Sequence, residues 1–286
     1  MLSCNFINIL QCPDCAGEIA QKNEHALYCK GCERIFAVIN GIICMLPTES
    51  KSLPDSYKDP DYLKMSDNFD DSSSYFTESN PVFRMIHESS HKKVAFWEDK
   101  HQSKAGNASN WTIDIGTGQG YHWPFVKDNS RFVGLDIRME SLEKIKQIFP
   151  DALLVQGNIL SIPFKANAFT RAVSIYALEH IYFLNEGLKE IHRILAPEAA
   201  FHVGIPCEGG LGWTLGRKLT SERSMSKRYN IDYRKYIALE HCNTALKINK
   251  ALKLHFKLEK TSHFPFPFLP SIDLNLTRTM QLRKSK

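Results

Sequence analysis

Trp111-Thr-Ile-Asp114-Ile-Gly116-Thr-Gly118-Gln-Gly120 passes from an apolar, strand-like run into three glycines at alternate positions. Glycine lets a backbone turn sharply and lie against a ligand with no side chain intervening. The residues after the loop predict a helix over about 119–127, whose free amides and positive dipole end would suit a carboxylate. The third glycine comes one position too early for the dinucleotide fingerprint. Alone, the stretch is a generic nucleotide-binding turn.

The residues downstream narrow it. Short apolar runs alternate with helical stretches, the signature of a parallel α/β sheet. Strands are expected at 111–115, 131–135, 152–155, 170–175, 199–205, 255–262 and 273–283, with helices near 139–149, 184–195 and 243–252. Phe132-Val-Gly-Leu-Asp136 ends its strand in an acid, where a carboxylate can accept hydrogen bonds from both ribose hydroxyls. Leu154-Val-Gln-Gly-Asn158-Ile159 ends the next strand in an amide and an apolar neighbour, suited to the edge and face of adenine. As isolated residues, Asp136 and Asn158 are more often loop or cap residues. At successive strand ends of one sheet they converge on the crevice where such folds bind ligands.

Upstream, the chain changes character. Cys12-Pro-Asp-Cys15 and Cys29-Lys-Gly-Cys32 are two Cys-x-x-Cys knuckles separated by thirteen residues. Each places two thiolates on one tight turn, so Cys12, Cys15, Cys29 and Cys32 can complete a tetrahedral site for zinc. Ala26-Leu-Tyr-Cys29 is strand-like, and residues 34–46 read as two strands joined at Asn40-Gly41. Residues 1–46 are therefore expected to form a zinc ribbon, too small to hold without a metal. Residues 47–80 carry eight acidic and three basic side chains and read as a polar linker. Asn80-Pro81 predicts a helix start, and residues 81–286 the main domain. Its insertion at 206–242 is basic and aromatic, with seven basic and two acidic residues over 217–235, and is expected to form a lid.

The 286 residues, 43% of them hydrophobic, suffice for one sizeable domain and a small appendage. A formal charge of +5 is too mild to specify nucleic acid. Residues 1–10 lack the basic start and long apolar stretch of a signal peptide, and no run approaches the length of a transmembrane helix. A cytoplasmic protein is expected.

Asp114-Ile-Gly-Thr-Gly-Gln-Gly120, Gly134-Leu-Asp136, Gly157-Asn-Ile159 with Ile162-Pro-Phe164, and Ala177-Leu-Glu-His-Ile181 with Glu190-Ile-His-Arg-Ile-Leu195 follow one another in a known order. In this the chain resembles class I S-adenosylmethionine-dependent methyltransferases of the small-molecule type, over about residues 110–206. The resemblance implies a Rossmann-like, seven-stranded α/β sheet with helices on both faces. It implies that Asp114, Gly116, Gly118 and Gly120 embrace the methionine part of the cofactor, Asp136 the ribose, and Asn158 with Ile159 the adenine. Tyr176 would border the transferred methyl group. The chain departs from the family at Ala196-Pro-Glu-Ala-Ala200, where Lys-Pro-Gly-Gly is common, a strain if that turn needs a positive φ. The cysteine segment resembles the small zinc domain partnered with some RNA and protein methyltransferases.

Methyl transfer from a sulfonium needs alignment, and a base only where the nucleophile loses a proton. His180, just past the fourth strand, is the first candidate, and Glu208, at the end of the fifth, the second; Glu179, His122 and His241 are nearby alternatives. The acceptor is expected to be a small or glycan-like molecule, neutral or anionic, with RNA as the alternative favoured by the ribbon and the basic lid. A non-catalytic interaction module on the same fold is the third reading.

Overall fold

The computed structural model describes residues 4–68, 81–102 and 111–284, with only the backbone of 98–102. Four short strands come first: Ile19–Asn23 (β1), Ala26–Cys29 (β2), Ile35–Ile39 (β3) and Ile42–Cys44 (β4). Then follow Thr112–Ile115 (β5), Phe132–Asp136 (β6), Leu153–Gln156 (β7), Phe169–Ile175 (β8), Leu195–Pro206 (β9), Phe256–Phe264 (β10) and Thr277–Lys284 (β11). All join one 11-stranded sheet in the order β1-β2-β3-β4-β7-β6-β5-β8-β9-β11-β10. The seven expected strands are the run from β7 to β10. The count is larger because β4 pairs in parallel with β7, Ile42 opposite Leu154 and Cys44 opposite Gln156, which appends the ribbon strands to the sheet.

Strand β5 lies between β6 and β8, parallel to both. The chain thus reverses its direction of growth at β5, which opens a crevice at the carboxyl ends of these strands. The central strands are mostly buried and rich in apolar residues because helices cover both faces. Phe164, Phe169 and Phe201 are fully buried there, each removal from water stabilising the core by about 2–3 kcal/mol. Strands β10 and β11 form an antiparallel hairpin that closes the far end against β9.

Among the described residues the α-helices are Cys4–Ile7 (α1), Pro60–Asp67 (α2), Pro81–Gln102 (α3), Met139–Ile148 (α4), Leu184–Ile194 (α5), Leu211–Leu219 (α6), Ser221–Tyr229 (α7), Tyr233–Glu240 (α8) and Ala245–His255 (α9). Among the described residues no helix is long and apolar enough to cross a membrane.

Two local expectations change, and a third, conditional one is met. The helix over 119–127 is only the 3-10 turn Trp123–Phe125. Gly120 at φ +80° and Pro124, which has no amide to donate, stop a longer helix from forming. The glycine loop therefore faces the crevice without a helix dipole behind it. Second, the segment expected as linker contains a 3-10 turn (Asp55–Lys58) and α2, capped by the Asp59 side chain on the Asp61 and Tyr62 amides; its run Asp70–Ser74 lies outside the described residues. Met65 and Tyr62 pack with Met225, Tyr229, Tyr233 and Tyr236 into the core of the lid. Third, Ala196–Ala200 is part of β9, with Glu198 at φ +60° where the family commonly has glycine.

Candidate active site

A cavity of about 530 Å³ lies in the crevice, between the glycine loop on one side and α6–α8 on the other. Its two walls are built differently.

On the loop side, Gly116 and Gly118 sit at φ +68° and +52°, backbone conformations that favour glycine. A Cβ at Gly116 would lie 2.5 Å from the Ala177 Cβ, whereas at Gly118 it would meet nothing within 4 Å. Gly118 thus presents bare backbone to open space. Asp114 is buried and accepts a hydrogen bond from the Thr117 hydroxyl at 2.7 Å. That hydroxyl also accepts from the Trp123 indole at 2.9 Å, which pins the loop from behind. The Asp136 carboxylate accepts from the Gly118 amide at 2.8 Å and the Arg138 amide at 3.0 Å, so it stands fixed beside the loop.

Asp114, Gly116, Gly118, Tyr176 and His180 line the cavity; Gly120, Asp136, Asn158, Ile159 and Glu208 lie outside its lining. The Asn158 side-chain oxygen accepts from the Leu160 amide at 2.9 Å, a turn-forming contact. Ile159 packs toward Gly187 of α5.

Helix α3 supplies residues that the sequence left unassigned. His87 and His91, one turn apart, reach the cavity, and the His91 Nδ1 lies 3.4 Å from the His122 Nδ1. Burial pushes His87 down to about 4 and His91 well below the usual imidazole value, so both are neutral at pH 7. Tyr176, at φ +56°, donates to the Ser90 hydroxyl at 2.9 Å, with its ring centre 4.9 Å from His87. Burial raises its phenol above the ordinary range.

The lid side is ionic. His180 Nδ1 lies 3.0 Å from a Glu240 carboxylate oxygen. Burial alone would lower its pKa, but the hydrogen bond and charge of Glu240 carry it up to about 9. Glu208 accepts from the Trp213 indole and, at 2.9 Å, from Arg217, and lies 3.0 Å from His241 Nδ1. Against the upward pull of burial, His241 and Arg217 hold it below the usual carboxylate value. His180 is therefore cationic at neutral pH, and Glu208 is ionised with both oxygens engaged. Cationic His180 has no lone pair for a substrate proton, and Glu208 is already held by three donors.

Glu179 differs. It is 2% exposed, lines the cavity, and its Oε2 has no hydrogen-bond partner among the described residues. Burial raises its pKa, opposed by the charges of His180 and His241. Its turn is held by Asn243, whose side chain donates to the Leu178 and Ile181 carbonyls at 3.0 and 2.7 Å. Arg217 Nε lines the same space and is likewise unpartnered.

In the ribbon, the Sγ atoms of Cys12, Cys15, Cys29 and Cys32 all lie within 4.8 Å of one another. The pairs Cys12–Cys32 and Cys15–Cys29 stand 3.8 and 3.4 Å apart. Tetrahedral zinc with bonds of about 2.3 Å places its sulfurs about 3.8 Å apart. A Cβ at Gly17 would lie 2.7 Å from the Cys29 Sγ, so the knuckle needs glycine beside its sulfurs. The donor set fits the metal. Ser161, three residues past Asn158, donates to the Pro13 carbonyl at 2.7 Å, which ties this knuckle to the end of β7.

Comparison with known proteins agrees with both parts. A family model described as a methyltransferase domain matches residues 113–203, and one described as Trm112p-like protein matches residues 5–41. The 2-phytyl-1,4-naphtoquinone methyltransferase of Nostoc sp. is 35% identical over 80 residues, 26% of this chain. The chain spans 35% of that relative's length. A UPF0434 protein of Methylobacillus flagellatus is 37% identical over 54 residues, 18% of this chain and 90% of that protein. The solved N-methyltransferase NodS from Bradyrhizobium japonicum WM9, in complex with S-adenosyl-L-homocysteine, matches with a TM-score of 0.53. That match covers 80% of this chain and all of NodS at 12% identity, a likeness of fold.

Proposed function

We propose that this chain, which belongs to the class I S-adenosylmethionine-dependent methyltransferases and over 54 residues to the family of the UPF0434 protein, methylates a small, glycan-like acceptor enclosed between the glycine loop and the lid. The observation that carries this reading is an acceptor and a donor on the cavity, Glu179 Oε2 and Arg217 Nε, both buried and without a hydrogen-bond partner among the described residues, as is His91 Nε2 on the opposite wall. A buried polar atom left unpaired costs about 1–3 kcal/mol, which a bound molecule recovers by pairing it. A hydroxyl or amine hydrogen satisfies the carboxylate; a sugar oxygen or an anionic group satisfies the guanidinium. The acceptor is thus neutral or anionic, and carries an O–H or N–H.

S-adenosylmethionine, when bound, supplies an activated methyl group open to in-line displacement. The residues present fit it. The bare backbone of Gly116 and Gly118 takes the methionine part together with Asp114, and Gly120 completes the turn. Asp136 accepts from the ribose hydroxyls, Asn158 and Ile159 flank the adenine, and Tyr176 borders the methyl group. Glu179 orients the acceptor and takes its proton as the new bond to carbon forms. His180 and Glu208 act as the charged struts that hold the lid, and zinc on the four cysteines holds the ribbon.

The Trm112p-like match favours RNA as a second reading. Against it, Tyr233 and Tyr236 are buried with Met65 and Met225, so they offer no open stacking platform. Arg234 and Lys235 are paired with Glu222 and Asp59.

The test is methyl transfer from labelled cofactor to glycan, small-molecule and RNA pools. Label is expected in the low-mass or glycan fraction; label in RNA alone overturns the reading. Glu179→Gln should leave cofactor binding intact by calorimetry while slowing transfer about 100-fold or more. Metal analysis should return zinc, and its absence would remove the metal from the assignment.

A further inference from the structure

Helix α6 is amphipathic in the wrong direction for a solvent-facing lid. Trp213, Gly216 and Arg217 face the cavity, while Leu211, Leu215 and Leu219 are 73%, 58% and 74% exposed. Their spacing of four residues makes one outward stripe. The connection from β10 to β11, whose later part meets α6, starts with Phe264-Pro-Phe-Pro-Phe-Leu-Pro270, with Phe266 half exposed and Phe268 97% exposed. The two elements are joined. The Leu211 amide donates to the Asp273 carboxylate at 3.1 Å and the Gly212 amide to the Asp273 carbonyl at 2.7 Å. A Cβ at Gly210 would lie 2.3 Å from the Ile272 carbonyl oxygen, so the approach is close.

Cations flank this apolar face. Residues 211–229 carry five basic side chains and one acidic. Lys218, Arg223 and Lys227 are exposed, with no carboxylate partner among the described residues. A polyanion such as RNA would satisfy these charges and leave the leucines and Phe268 in water. An uncharged apolar protein surface would cover the leucines and leave the cations unanswered. A surface with anionic headgroups above hydrocarbon answers both, in the manner of an interfacial amphipathic helix.

We propose that α6 and the Phe266–Leu269 loop dock this chain onto an anionic phospholipid bilayer. The docked face is the outer side of the cavity wall. Val82 and Thr220, which are exposed and also line the cavity, stand at its rim, so docking brings the cavity mouth to the membrane interface. The inference rests on the lid's outer surface and does not depend on which acceptor the cavity takes.

The experiment is flotation of the full chain with phosphatidylcholine vesicles, with or without about one-third phosphatidylglycerol, at low and high salt. Binding to the anionic vesicles is expected, at least about tenfold weaker to neutral ones and weakening as salt rises. Phe268→Ser and Leu219→Ser should each weaken it by about tenfold, with S-adenosylhomocysteine binding unchanged as the check on folding. Phe268→Trp should shift its emission to the blue on addition of anionic vesicles. No partition onto anionic vesicles at low salt overturns the proposal, as does binding that Phe268→Ser leaves unchanged. A self-association in sedimentation that Phe268→Ser abolishes, without vesicle binding, would assign the face to a second copy instead.

Discussion

His87 and His180 border one cavity and titrate in opposite directions, the first near 4 and the second near 9. On the loop wall, histidines meet aromatic rings and backbone, and burial keeps them neutral. On the lid wall, Glu240 stands against His180 and holds the proton on it. The loop wall recognises by shape and backbone, with few charges that a pH change can reach. The lid wall carries ion pairs, His180 with Glu240 and Arg217 with Glu208. One residue type thus serves two purposes, and its neighbours decide which.

The largest expected effect separates the walls. Asp136→Ala should weaken S-adenosylhomocysteine binding by about 100-fold or more, since the variant loses charge-assisted hydrogen bonds worth about 1.5–3 kcal/mol each. Glu208→Gln, on the lid side, should leave that affinity nearly unchanged in the same calorimetry. If Glu208→Gln weakened the cofactor as strongly, the two walls would not be separate. Gly116→Ala should cost about 2–3 kcal/mol of stability or cofactor affinity, because its Cβ would meet Ala177 at a positive φ.

The pH dependence sharpens the contrast. The His180 pKa is raised in the folded chain, so its contribution to stability is complete below about 6.5 and is lost as pH rises through about 9. Chemical denaturation should show a loss of about 2–3 kcal/mol over that window, which His180→Asn flattens. His87, with its pKa lowered, should stay neutral across the same window, and its imidazole NMR signals should hold still while those of His180 move. A control lies on neither wall. Glu198→Gly should raise stability by about 0.5 kcal/mol, because relief of φ +60° slightly exceeds the entropy that glycine loses on folding.

Strand–helix alternation made β5 to β9 legible, since buried parallel strands must be apolar and must be joined by crossovers. The places of Asp114 in β5 and of Asp136 at the end of β6 were legible for the same reason. The α3 histidines were not, although His87 and His91 share a helix face at a spacing of four. Their meeting with His122 and Tyr176 depends on how α3 lies across the sheet, which local pattern does not encode. Pro124 was a visible signal against the helix over 119–127, outweighed by the expectation that a glycine loop leads into one. His180 stood ahead of Glu179 on its place past the fourth strand and on a side chain that titrates near neutrality. Their partners in space differ, with Glu240 engaging His180 and a Glu179 oxygen left without a partner among the described residues, and the proposal of Glu179 as base rests on that difference.

The parallel pairing of β4 with β7 bears on colloidal behaviour as well as on architecture. An open sheet that ended at β7 would offer a row of bare amides and carbonyls between apolar side chains, a template for the next molecule. With the ribbon in place the last strand on that side is β1, five residues long and carrying Gln21, Lys22 and Asn23. The opposite end finishes in β10, where Lys257, Glu259 and Lys260 face solvent. Both margins of the sheet are thereby blunted. Cutting the chain before residue 46 would remove the guard from one of them, and filaments or precipitate would be the first symptom.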